Sequence, residues 1–179
     1  SIEELLEEVE RVVREVERRL DELLERNRRV IEEVRRRDDK LTKENEDVIR
    51  DVRRAGNISD KATDELRRSH EAERRRSEED KKRLDDSHKE LEKEVEKTKR
   101  RIREELKKER DKARRSRRPE EDLIREVEKR LEDIKDLLRR MKEEVERHSR
   151  EVEDRLRRSE ERWRDHSKKV KERLDRATT

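Results

Sequence analysis

The feature that most constrains this chain is a repeat of eighteen residues. Apolar side chains recur at that interval as Val12, Val30 and Val48, as Val13, Ile31 and Ile49, and as Val16, Val34 and Val52. The same interval links Leu66, Leu84 and Ile102, then Ile134, Val152 and Val170, then Leu138, Leu156 and Leu174. Eighteen residues make about five α-helical turns at 3.6 residues per turn. A pattern in step with 3.6 keeps its apolar face along one side of a straight helix, whereas a heptad at 3.5 forces a left-handed supercoil.

Breakers are scarce: the chain of 179 residues holds one Gly and one Pro. Gly56 suits the left-handed position that follows a helix, and Ser59 or Asp60 suits the cap of the next one. Pro119 suits the first turn of a helix, with Glu120 and Glu121 where the dipole favours acid. The spacing predicts helices over about 2–55, 60–115 and 119–177, with turns at about 56–59 and 116–118. Each helix would run roughly 80 Å at 1.5 Å per residue. Short connections make neighbours antiparallel. The predicted fold is all-α: a long, nearly straight, antiparallel up-down-up three-helix bundle, one domain over residues 1–179.

Polar residues obey the same interval. Asn27 and Asn45 are eighteen apart, as are His70 and His88, Ser69 and Ser87, His148 and His166, and Ser149 and Ser167. In an antiparallel pair the numbers of facing residues add to a constant. Asn45 with His70 and Asn27 with His88 share one constant, centred on Asn57 and Ile58 in the first turn. His70 with His166 and His88 with His148 share another, centred on Arg118 in the second turn. Gly and Pro alone placed the turns, so the agreement is independent. The constants generate apolar layers, among them Val13/Ile102/Ile134, Leu20/Val95/Met141, Ile31/Leu84/Val152 and Ile49/Leu66/Val170. They also generate polar layers: Asn27/His88/His148, Asp38/Ser77/Ser159 and Asn45/His70/His166. A fourth, Thr42/Glu73/Trp163, would let the indole N–H donate to Glu73.

Together, the eighteen-residue period, the Ser-His and His-Ser pairs, the Glu/Arg/Lys surfaces and the minimal turns resemble computationally designed straight three-helix bundles with buried hydrogen-bond networks. That resemblance spans the whole chain and is one of style. It implies a stable scaffold whose polar layers specify register and pairing, and it leaves the state of assembly open.

Charged residues make up 63% of the chain, yet 58 basic residues nearly cancel 55 acidic ones, leaving a net charge of +3. Mixed charge of this kind belongs to exposed helix faces with i,i+4 pairs. So small an excess, with Trp163 as the one aromatic residue, argues against nucleic-acid binding. No apolar run approaches the ~18 residues of a membrane span. No targeting segment is evident, so a soluble chain is expected. Cysteine is absent. No catalytic, cofactor-binding or metal-ligating residues are assigned: two imidazoles per layer with an Asn fall short of a zinc site, and adjacent Ser and His on a helix point apart.

The polar layers admit a structural reading, in which wrong registers leave buried groups unpaired. They also admit a pH-responsive one, in which paired histidines repel once charged. Helix 1 carries an extra apolar stripe of Leu5, Val12, Leu23, Val30, Leu41 and Val48. Lys and Arg stems within one chain would cover it, or it would pair with a second copy or a partner helix. No partner is required by the sequence.

Overall fold

The computed structural model describes residues 1–54, Gly56 and 59–178, the side chains of Ala177 and Thr178 excepted. The fold is an all-α three-helix bundle, with no strand among the described residues. Helix α1 spans Ile2–Arg54, α2 spans Asp60–Arg115 and α3 spans Glu120–Thr178. Ala55, Asn57 and Ile58, which the sequence assigns to the end of the first helix and the first turn, lie outside the described residues, as does Thr179.

Local chemistry sets the ends. Ser1 caps α1: its hydroxyl accepts from Glu4 N–H at 3.3 Å and its carbonyl from Leu5 N–H at 3.2 Å. Ser59 caps α2 in the same way, accepting from Ala62 N–H at 3.2 Å through Oγ and from Thr63 N–H at 3.0 Å through its carbonyl. Each satisfies amide groups that the first turn leaves without helical partners. Gly56 has φ of +69°, the left-handed conformation that a Cβ disfavours, and its N–H donates to Arg53 at 3.1 Å. Pro119 sits one place earlier than expected. It is the cap of α3 rather than its first residue, because its carbonyl already accepts from Asp122 and Leu123 N–H at 3.1 and 3.3 Å.

The chain divides into two compact units, each built from one segment of every helix: Ser1–Arg26 with His88–Ser149, and Asn27–Ser87 with Arg150–Thr179. In the first unit, Val13, Ile102 and Ile134 share one buried apolar cluster, and Leu20, Val95 and Met141 another. In the second, Ile31, Leu84 and Val152 form a cluster by themselves, and Ile49, Leu66 and Val170 pack with Leu174. Each of these groups draws on all three helices.

Ion pairs report the same register. In the first unit α1 and α2 are joined by Glu10 with Arg110, Glu17 with Arg103 at 2.8 Å, and Asp21 with Lys99. In the second they are joined by Arg35 with Asp85, and by Asp39 with Lys81 at 2.9 Å. Numbers rise on α1 as they fall on α2, so the two run antiparallel. The paired numbers share one constant, slightly larger than that of the core layers. In the second unit α1 pairs with α3 in rising order, Asp38 with Ser159 and Asn45 with Ser167, so those two run parallel.

The units differ in what they bury. Among the described residues, seventeen buried apolar side chains belong to the first unit and nine to the second. The buried polar set is reversed: His88, Glu109 and His148 in the first, against Asn27, Asp38, Asn45, Thr63, His70, Ser77, Lys81 and His166 in the second. Since apolar burial is the main favourable term in folding, the first unit carries the larger share of stability. Leu20, at 1% exposure, is enclosed on all sides. Leu20→Ala is expected to cost roughly 2–5 kcal/mol. An unchanged urea midpoint for this variant would contradict the layered packing.

Candidate functional site: the buried polar layers

Helix α2 carries His70 and α3 carries His166, both buried at 5% exposure. His70 Nδ1 lies 3.2 Å from His166 Nε2. The ring centroids are 5.5 Å apart and the planes differ by 22°. That separation matches the N···N distance plus the two ring radii, so the imidazoles meet head to head in nearly one plane. His88 and His148 in the first unit repeat the arrangement, with 3.4 Å between Nδ1 and Nε2, 5.6 Å between centroids and 23° between planes. A neutral imidazole has one N–H and one lone pair, so each pair is joined by a single N–H···N bond.

Carboxylates stand at the outer nitrogens. Glu92 Oε1 lies 2.7 Å from His88 Nε2, one helical turn further along α2. The contact is off the N–H direction, since that nitrogen makes no hydrogen bond, and it is an ion pair only when the imidazole carries a second proton. Glu46 Oε1 on α1 lies 3.5 Å from His70 Nε2.

Asp38, Ser77 and Ser159 come together as a second kind of layer. Asp38 on α1 is 4% exposed. Its Oδ2 accepts from Ser77 Oγ on α2 at 2.5 Å and its Oδ1 from Ser159 Oγ on α3 at 2.9 Å. A buried carboxylate is costly unless hydrogen-bonded, and here each oxygen has a hydroxyl from a different helix.

Asn45 and Glu73 take partners that the layer sums do not predict. Asn45 is buried, and its amide donates to Ser167 Oγ, next in sequence to His166, at 3.3 Å. Asn27 is buried in the second unit, while His88 and His148 belong to the first. Thr42 is half-buried. The expected bond from the Trp163 indole to Glu73 is not formed. Trp163 is 1% exposed with no acceptor at Nε1, and Glu73 lies 3.7 Å from Arg162 Nε and 3.8 Å from Arg76 Nη1. A guanidinium outcompetes a neutral indole for a carboxylate. Trp163 instead meets His166 edge-on at 5.7 Å and His70 at 6.3 Å between centroids. Asp80 is half-exposed and accepts from Arg162 Nη1 at 2.9 Å.

Sequence reasoning missed Lys81, which is 7% exposed with Nζ 2.9 Å from Asp39 and 3.4 Å from Glu78. It missed Glu109, buried beside Arg130 at 3.5 Å, and Thr63, whose hydroxyl donates to Ser59 carbonyl at 3.0 Å. The signal for Lys81 was present, because opposite charges on α1 and α2 recur at one constant sum just outside the core layers.

The stripe on α1 is only partly open. Leu5 and Leu23 are half-buried against the first unit's core, Val30 against the Ile31 cluster, and Leu41 is half-buried as well. Val12 and Val48 are exposed, at 37% and 38%. Among the described residues no three His, Cys, Asp or Glu side chains are grouped to hold a metal ion, and no helix is long and apolar enough to cross a membrane. No protein family, curated protein or solved structure matches the chain.

Burial, and after it the neighbouring His70, push the His166 imidazole below its ordinary value of 6.5. Glu73 pulls it up, and Lys169 and Arg173 push it further down. A base with a lowered folded-state pKa is held neutral by the fold. The unfolded chain therefore binds more protons once the pH drops below 6.5, and stability falls from there towards the folded value. Urea midpoints measured between about pH 7.5 and pH 5 should decline on this account, and a midpoint that rises with acid would contradict it. Ser77→Ala, which strips one donor from the buried Asp38 carboxylate, should cost about 1–3 kcal/mol in the same assay.

Proposed function

We propose that this chain is a designed architectural scaffold, without enzymatic activity, whose buried polar layers hold three helices in one register. The Asp38 layer carries the reading. Two hydroxyls from two different helices meet the two oxygens of one buried carboxylate. Sliding one helix by a turn, about 5.4 Å, would strand that charge among apolar side chains. Apolar layers tolerate such a slide because one Leu or Val packs much like another. The head-to-head histidines support the same reading, since each N–H···N bond needs both rings at one level. Designed origin is inferred from the eighteen-residue repeat and from the likeness of its polar pairs, surfaces and minimal turns to designed straight bundles.

A second reading, association with another copy or a partner helix, is favoured by the exposure of Val12 and Val48 on the face of α1. Light scattering separates the two. A mass near 22.3 kDa at neutral pH supports the lone scaffold, and a multiple of it supports association.

Register itself is tested by replacing the layer as a whole, with Asp38→Leu, Ser77→Ala and Ser159→Ala in one chain. The urea midpoint should hold or rise, because apolar substitutes for a buried polar cluster are often neutral or stabilising. Distances between spin labels on exposed sites of α1 and α2 in the second unit should broaden or split. A single narrow distance, as in the parent, would end the register proposal.

A further inference from the structure

We propose that the His70–His166 pair is an acid-operated latch, which holds one added proton but releases the second unit when it takes a second, while the first unit stays folded.

The argument begins with proton arithmetic. In the neutral pair one N–H bridges His70 Nδ1 and His166 Nε2 across 3.2 Å. The two outer nitrogens hold one further hydrogen and one lone pair. A first added proton goes to that outer lone pair. The bridge survives and becomes charge-assisted, which strengthens it. A second added proton leaves no lone pair between the rings. Two N–H groups then point at each other across the same gap, and two cations share one buried site. The head-to-head geometry thus tolerates one proton and rejects two.

The surroundings offer little to offset the second charge. From α1, Glu46 stands 3.5 Å from His70 Nε2, and Asn45 has committed an amide hydrogen to Ser167. From α2, Glu73 faces His166, but Arg162 and Arg76 already neutralise it. From α3, Lys169 and Arg173 add positive charge. Trp163 closes the side with an uncharged ring. The layer therefore holds the counter-charge for one proton and lacks it for two.

The release is local because the second unit has less to hold it. It buries nine apolar side chains among the described residues against seventeen in the first, and most of the buried polar groups. The first unit's own pair, His88 with His148, has Glu92 at 2.7 Å from the outer nitrogen and two larger apolar clusters in the same unit. This latch rests on the register reading only in that the same layer pins the helices when neutral.

The test is hydrogen exchange resolved by peptide on the full chain between about pH 7.5 and pH 4.5, corrected for intrinsic exchange, with Trp163 emission followed in parallel. Protection in the second unit should fall relative to the first by about tenfold or more. Trp163, the one aromatic residue of the chain, should shift to the red over the same range. The double variant His70→Gln, His166→Gln keeps hydrogen-bonding side chains without protons to gain, and should flatten both changes. If that variant does not fold, the order of exchange in the parent decides alone. Loss of protection in both units at one pH, no loss at all, or an acid transition that persists in the double variant would each overturn the latch. Failure of the register reading looks different: it appears at neutral pH as multiple spin-label distances and does not alter whether acid opens one unit before the other.

Discussion

A polar group taken from water must find a partner or bear the full cost of desolvation. That requirement organises this protein more than apolar burial does, because most of what distinguishes one level of the bundle from another is polar. Leu, Ile and Val recur so regularly that an apolar layer could slide onto its neighbour with modest loss. Asp38 cannot slide, since Ser77 and Ser159 are the hydroxyls at its level. Nor can His70 or His88, each of which needs another imidazole in line with its ring. On the proposed reading, specificity resides in a few groups, while cohesion is spread over many.

The two units divide these tasks unequally. The first has the large apolar clusters and a single histidine pair. The second concentrates buried polar groups, including the Asp38 layer, the Asn45–Ser167 bond and the buried Lys81. A unit rich in polar contacts is well specified and weakly held, because exposed or half-buried ion pairs contribute little and each buried polar group gains only modestly over its bond to water. On the latch proposal acid would act on the weaker unit for the same reason, since a second proton removes the lone pair that the bridge between His70 and His166 needs as acceptor.

Much of this fold is legible in the sequence. The spacing of valines and leucines gave the helices, Gly56 and Pro119 placed the turns, and constant sums assembled layers such as Ile31/Leu84/Val152. What failed to be legible involved competition among side chains. Glu73 and Trp163 share a level, yet Arg162 and Arg76 hold the carboxylate and leave the indole without an acceptor. Asn45 shares a layer sum with two histidines and donates to Ser167 instead. Lys81 reads as a surface residue among many and is nevertheless buried between two carboxylates. Register sums locate a residue along the helix axes, but which of several nearby acceptors it selects depends on side-chain reach and direction.

The sequence by itself determined the three helices and the levels of layers such as Ile31/Leu84/Val152, because these follow from a period of 3.6 and from the conformational limits of Gly and Pro. It determined that His70 would share a level with His166 and His88 with His148, since each pair keeps one constant sum. Only the tertiary structure decided that the imidazoles meet head to head, that each oxygen of Asp38 takes one serine, and that Val12 and Val48 alone of the α1 stripe stand in the open. The physical reason is that a hydrogen bond is a matter of a few tenths of an ångström and of direction, which is settled by how three helices pack and not by how residues are spaced along one.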